Sequence, residues 1–303
     1  MSDADRLETA FVELVSADNQ HGGTISLETR ALAFAQHATE LQTVSQASQR
    51  VRSRLYYLAA AFTGTALWVA LDARQPGRAA RHLDRAMTLA GLAGSSDMQL
   101  RLWGHAAVLF TQQHKPNDAL AAAEAGRASF ACRRDPLMRS LASARLAGIQ
   151  GEAKENRSAL SNFDLAIEAY DRADLAEPRA TWLDFYDQSE LFGLGGLTMG
   201  RLGHHAQAEA YLHRTLAKLR SGYTRNRLYY SAHLALAQLR QDDLEHACTT
   251  AASVLGAAGN DSLTARTSLL MDTFTRELST AAPGARSTTQ WMEQYTSMQG
   301  GRP

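Results

Sequence analysis

The sequence predicts an all-α protein. It is an α-solenoid of about five helix-turn-helix hairpins, with extra N-terminal helices and a C-terminal capping helix. Three observations carry this. Apolar residues recur at helical spacing along nearly the whole chain, and no strand-like alternation survives inspection. Small residues mark a regular interval: Ala79, Ala119 and Ala159 lie 40 residues apart, Ala208 follows 49 later and Ala247 another 39 later. Pro76 and Pro116 are also 40 apart, each where a helix would begin and a missing N–H does no harm.

The stretch Arg101–Ala131 shows the unit best. Trp103, Ala106, Ala107 and Phe110 share one helical stripe, and Ala119, Ala123 and Gly126 share another. Lys115-Pro116-Asn117 separates the two helices. Two helices lie close only where no bulky side chain intervenes, so small residues mark the crossing and aromatic ones fill around it.

In chain order, Arg6–Val15 reads as a short amphipathic helix, and Asp18–Gly23 as a turn in which paired glycines widen the backbone's choices. Helices follow over about 26–44 and 46–73. Hairpins are expected over about 47–92, 96–131, 136–173, 178–220 and 225–256, the third opened by Asp135 as N-cap and Pro136 at the first helical position. A last helix over about 262–279 would cap the stack. Three parts result: residues 1–45 packed on the solenoid, repeats over 46–280, and a polar tail over 281–303 with one short helix near Trp291.

Composition narrows the function. Hydrophobic residues make up 45% of the 303 and charged ones 20%, a globular balance. Lys+Arg and Asp+Glu are equal at 31 each, so the basic excess of a nucleic-acid binder is missing and no direct nucleic-acid partner is expected. Cys132 and Cys248 lie too far apart in sequence to suggest a disulfide framework or a cysteine metal site. The acidic opening MSDADRLETAF lacks the features of a secretory leader, and no apolar run reads as membrane-spanning, so a cytoplasmic location and no membrane partner are expected.

Three motifs allow a chemical and a structural reading. Gly193, Gly195, Gly196 and Gly200 resemble a phosphate loop, but Thr198 holds the last glycine position and no strand is expected before it; close helix packing is the competing explanation. His205, Glu209 and His213 share a helix face and could hold a metal weakly, or lie on a solvated face. Trp182, Asp184, Phe185, Asp187 and Glu190 form an acidic-aromatic stretch, placed on the first helix of the fourth hairpin. There it would meet a cationic ligand or serve as core between repeats.

Stacked hairpins curve and line a concave face with their first helices. That face is predicted to carry Trp68 and Asp72, then Arg101, His105 and Gln112, then Arg145 and Glu152, then Glu190 and Arg201, and finally Tyr229 and His233. With Trp182 and Asp187 these are the candidate ligand-binding residues. A groove of Arg, carboxylate and aromatic groups suits a peptide or a polar small molecule. No nucleophile elbow, HExxH or Cys–His pairing appears, so no enzyme, cofactor or metal is expected.

The W-x2-A-A-x2-F of Trp103–Phe110 and the A-x3-A of Ala119–Ala123 resemble the W-x2-L-G-x2-Y and A-x3-F of the tetratricopeptide repeat. The Asp18–Gly23 turn, Trp182–Glu190 and Leu202–Ala208 further resemble the C-terminal sensory region of actinobacterial regulators that join an XRE-type helix-turn-helix to such repeats. The resemblance implies ligand- or peptide-gated transcriptional control, with a protein partner or a homodimer and without a DNA-binding domain in this segment. A scaffold for a biosynthetic or regulatory pathway is the alternative, and an enzyme with a groove active site is a more remote one.

Overall fold

The computed structural model describes residues 2–21, 23–44, 48–258 and 263–300. Among them the chain is all-α, with fifteen α-helices, one 3₁₀ turn and no strand. It divides into two compact units, Met1–Asp187 and Gln188–Pro303.

The first unit holds α1 (Asp3–His21), α2 (Ile25–Val44), α3 (Gln49–Asp72), α4 (Pro76–Ala93), α5 (Ser96–Gln112), α6 (Pro116–Ala128), α7 (Phe130–Arg134), α8 (Pro136–Glu152) and α9 (Asn156–Asp171). First helices touch in sequence, α1 on α3, α3 on α5 and α5 on α8. α4 packs on its own partner α3 and on the next first helix α5, and α6 likewise packs on α5 and α8. The second unit repeats the plan with α10 (Gln188–Arg201), α11 (His205–Lys218), α12 (Thr224–Leu239), α13 (Leu244–Ala258), α14 (Ala265–Ala281) and α15 (Arg286–Gly300).

The alanine markers sit where the hairpin needs them. Ala79, Ala119, Ala159, Ala208 and Ala247 each lie in the first turn of a second helix with at most 1% of their surface exposed. The turn before each is the same Schellman motif. Residues Arg74, His114, Lys154, Gly203 and Asp242, each five before its alanine, are left-handed, with φ between 52° and 82°. In the first copy Arg74 N donates to Leu71 O at 3.0 Å and Gln75 N to Ala70 O at 2.8 Å, and the other four repeat both bonds. Helix starts follow the expected chemistry, for Asp135 accepts from Leu137 N ahead of Pro136.

Several expectations are corrected. α1 runs on through Asp18 to His21, so Asp18 is a buried helical residue. Gly23 is needed for proximity: a Cβ there would stand 3.0 Å from Val69. α3 is long and apolar enough to cross a bilayer, contrary to the sequence reading, but 83% of that window is buried inside the fold. Its packing partners are α1, α2, α4 and α5. The five-residue α7 is an unforeseen insertion between the second and third hairpins. The first helix of the fourth hairpin begins at Gln188, ten residues later than expected, and the residues before it form the 3₁₀ turn Thr181–Leu183. The helix expected near Trp291 is present as α15, longer than expected and packed on α14 with Trp291 2% exposed and its ring 5.1 Å from Phe274. Residues 301–303 of the expected tail lie outside the described residues.

Candidate functional site

In the first unit the residues that α3, α5 and α8 turn toward one another's exposed side are unusually polar. α3 presents Tyr57, Thr65, Trp68 and Asp72 on one stripe, and α5 presents Asp97, Arg101, His105 and Gln112. α8 adds Arg145. Periodicity alone brings these together, since residues three or four apart share a helix face.

Arg101 is the centre. It is 7% exposed, donating from Nη1 to Ala61 O and from Nη2 to Thr65 Oγ1, both at 3.1 Å. Its guanidinium carbon lies 5.8 Å from the ring of Phe11 and 6.0 Å from that of Trp182. Burial lowers its pKa to about 10, an effect that Tyr57, Asp18 and Asp97 oppose and Arg145 reinforces. It therefore stays charged at neutral pH.

His105 is buried with its ring edge-on to Trp68 at 5.2 Å, and its Nδ1 has no hydrogen-bond partner. Desolvation, then Arg101 and Arg145, hold its pKa well below the ordinary histidine value, so it is neutral. Arg145 lies against Gly104, where any Cβ would collide with its guanidinium. Gln112 ties the far end, donating from Nε2 to Leu71 O at 2.9 Å. Asp72 is buried at the same end of α3. Trp68 and Arg145 keep part of their surface in solvent, so aromatic and cationic groups are reachable beside the buried imidazole.

Asp97 closes the other end. It accepts from Tyr57 Oη at 3.2 Å, from Trp182 Nε1 at 3.3 Å and from the Ser95 hydroxyl. Burial first, and Asp97 second, push the Tyr57 phenol well above its usual pKa, so it remains a donor. Sequence reasoning missed Tyr57, Thr65 and Asp97. The signal was present, because Asp97 stands one helical turn before Arg101 and Tyr57 lies on the stripe of Trp68.

The second unit gathers Glu190, Arg201, Tyr229 and His233 with the unforeseen Arg266. The Tyr229 ring is 4.7 Å from that of His233 and lies under the Arg266 guanidinium at 3.8 Å. Burial, then Arg201, Arg266 and Arg240, lower the pKa of His233 to about 3. Arg240 is itself held by Glu277 at 2.8 and 2.9 Å. Glu190 hydrogen-bonds Tyr230, whose phenol burial and that carboxylate raise. Asp187 ends the first unit, partly buried, on the segment that carries Trp182.

The remaining motifs resolve toward packing. A Cβ on Gly193 would strike the Tyr230 ring, and one on Gly196 would stand 2.8 Å from Leu212. Glu209 accepts from Gln238 at 3.1 Å and Gln241 at 2.7 Å, with His213 3.5 Å away. Among the described residues no three His, Cys, Asp or Glu side chains are grouped to hold a metal.

No family model and no curated protein matches this sequence. Among solved structures, the chain is similar to one in the APC/C hetero-tetramer Cut9–Hcn1, with TM-score 0.42 and 15% identity over 97% of this chain and 60% of that one. It thus spans less than two thirds of that chain's length. It is similar to NprR in complex with its cognate peptide NprX, with TM-score 0.34 and 13% identity over 97% of this chain and 89% of that one. The apo form of the quorum sensor NprR from B. thuringiensis gives TM-score 0.29 and 14% identity, over 98% of this chain and 95% of that one. At these scores the functional reading rests on this chain's own residues.

Proposed function

We propose that this protein is a non-catalytic binding module of tetratricopeptide type, taking a peptide or a polar small molecule on the face built by α3, α5 and α8. One observation carries the reading. A row of helices that needed only stability would bury aliphatic side chains, whereas this one buries Arg101 and His105 at a solvation cost and leaves Trp68 and Arg145 partly exposed beside them. Fixed cationic donors flanked by aromatic planes suit a carboxylate on an extended chain. Trp68, Asp72, Arg101, His105 and Arg145 form the proposed site, with Trp182 set against Arg101 at one end of it. Asp187 lies at its margin, and Glu190, Tyr229 and His233 serve a second contact region in the other unit. The sequence resemblance adds a role in transcriptional regulation, with DNA contacted by another domain or partner.

A scaffold role has one observation in its favour. Phe130 is 49% exposed on α7, with the guanidinium carbons of Arg133 and Arg134 at 5.4 and 4.7 Å from its ring. Exposed aromatic and Arg groups of this kind anchor protein interfaces.

Thermal-shift screening against short peptides and small carboxylates, followed by calorimetry on the hits, tests the proposal. Binding should weaken at least tenfold in Arg145→Gln and in Trp68→Ala. A hit indifferent to both but lost in Phe130→Ala would favour the scaffold reading.

A further inference from the structure

The connection from α9 to α10, residues 172–187, is far longer than the two residues joining α4 to α5 or the five joining α11 to α12. Residues 174–178 are exposed, but the second half of the connection is largely buried. Arg179 pins its first half, donating to Asp135 Oδ2 at 2.8 Å and to the carbonyls of Asp174 and Glu177 at 2.7 and 3.0 Å. Residues 181–187 then enter the face described above. Trp182 is 3% exposed, its indole donating to Asp97 and its ring beside the Arg101 guanidinium. The Phe185 ring lies 5.8 Å from the Arg145 guanidinium carbon. Tyr186 is 2.7 Å from the Ser140 hydroxyl, which itself donates to Ala166 O, so the tyrosine hydroxyl is the donor of that pair.

These are the marks of a bound peptide. Aromatic anchors at positions one, four and five of a short stretch fill separate places, and the acidic Asp184 between them stays exposed. Its polar partners are a carboxylate, two guanidiniums and a hydroxyl, beside the buried Leu183 and the contact of Tyr186 with the Tyr170 ring at 6.0 Å. We propose that Thr181–Asp187 is a tethered ligand. The site of Tyr57, Asp97, Arg101, Ser140 and Arg145 takes a short, turn-forming segment of aromatic and acidic character, and the chain's own segment competes with a partner peptide of the same chemistry. This rests on the peptide-binding reading above and narrows it to a ligand class. Tethering holds the competitor at an effective concentration near the millimolar range. A free peptide therefore binds with its affinity reduced by the fraction of sites left open.

The test uses the full chain and a fluorescein-labelled peptide of the sequence ATWLDFYDQ, read by fluorescence polarisation. In a variant with residues 181–187 replaced by alternating Gly and Ser, the peptide should bind at least tenfold more tightly than in wild type. Arg145→Gln in that background should reverse the gain. Equal binding to both chains, or none to a replaced chain that keeps its helical circular dichroism and cooperative melting, overturns the proposal. If the replaced chain does not fold, amide exchange on the wild type decides. Amides of 181–187 should exchange by local opening, faster than those of α5 and α8, and exchange only on global unfolding overturns the tethered-ligand assignment. Hits from the peptide screen that need Trp68 and Arg145 but ignore the replacement would leave the binding module standing and remove only this inference.

Discussion

Four of the five hairpin turns place a residue with a side chain at the left-handed position, where Cβ crowding costs about 1–2 kcal/mol. Only Gly203 fills it with the residue suited to that backbone. His114 is exposed there, so His114→Gly should raise stability by about 0.5–1 kcal/mol, the strain removed less the extra freedom glycine gains when unfolded. Gly203→Ala should lower it by about 1–2 kcal/mol, and purely through the backbone, since a Cβ there meets nothing within 4 Å. Urea titrations with an unchanged m-value check both. This turn explains a limit of the sequence: Arg, His, Lys and Asp carry no common signature, so the repeat was visible through its alanines and invisible through its turns. Protonation adds a second residue-scale effect. The folded-state pKa of His105 lies well below the ordinary value of 6.5, and that of His233 falls to about 3. Below about pH 6.5 the unfolded chain therefore takes up protons that the native one refuses. Stability should fall as pH drops through that window, by up to about 1.4 kcal/mol per pH unit for each histidine. Unfolding free energies at about pH 7 and pH 5 should differ less in His105→Gln than in wild type.

Among the elements, α10 shows why glycines gather in one helix. Gly193 and Gly200 share a helix, but only the first has a neighbour in the space of a side chain. Gly193→Ala should cost about 1–3 kcal/mol because the buried Tyr230 ring must move. Gly200→Ala, with Ala208 Cβ at a comfortable 3.9 Å, should be neutral or stabilising by up to about 1 kcal/mol. Thermal melts of the two variants separate packing from helix propensity; equal losses would contradict the assignment. Helix existence and pairing were legible in the spacing of apolar and small residues, because both follow from periodicity. The start of α10 was not. Trp182, Phe185 and Tyr186 keep helix-compatible spacing with the residues after them, yet their rings find partners on α5, α8 and α9 that a local pattern cannot reveal.

At the scale of the molecule, each unit carries its own row of first helices and its own cluster of polar groups. The stripe through Trp68, Arg101, His105 and Arg145 could be read from the register of the hairpins. What escaped that reading was that its near end is already filled by the chain's own aromatic segment, a contact between residues 85 positions apart. The formal charge balance likewise said nothing of placement: Arg101 and Arg145 both act on His105 and help keep its imidazole neutral. Hydrogen exchange read by mass spectrometry, with and without the tightest peptide found by screening, locates the binding face. The account predicts added protection concentrated in α3, α5 and α8 around Trp68, His105 and Arg145, with α4, α6 and α9 little changed. Protection confined to α4, α6, α7 or α9 would contradict it.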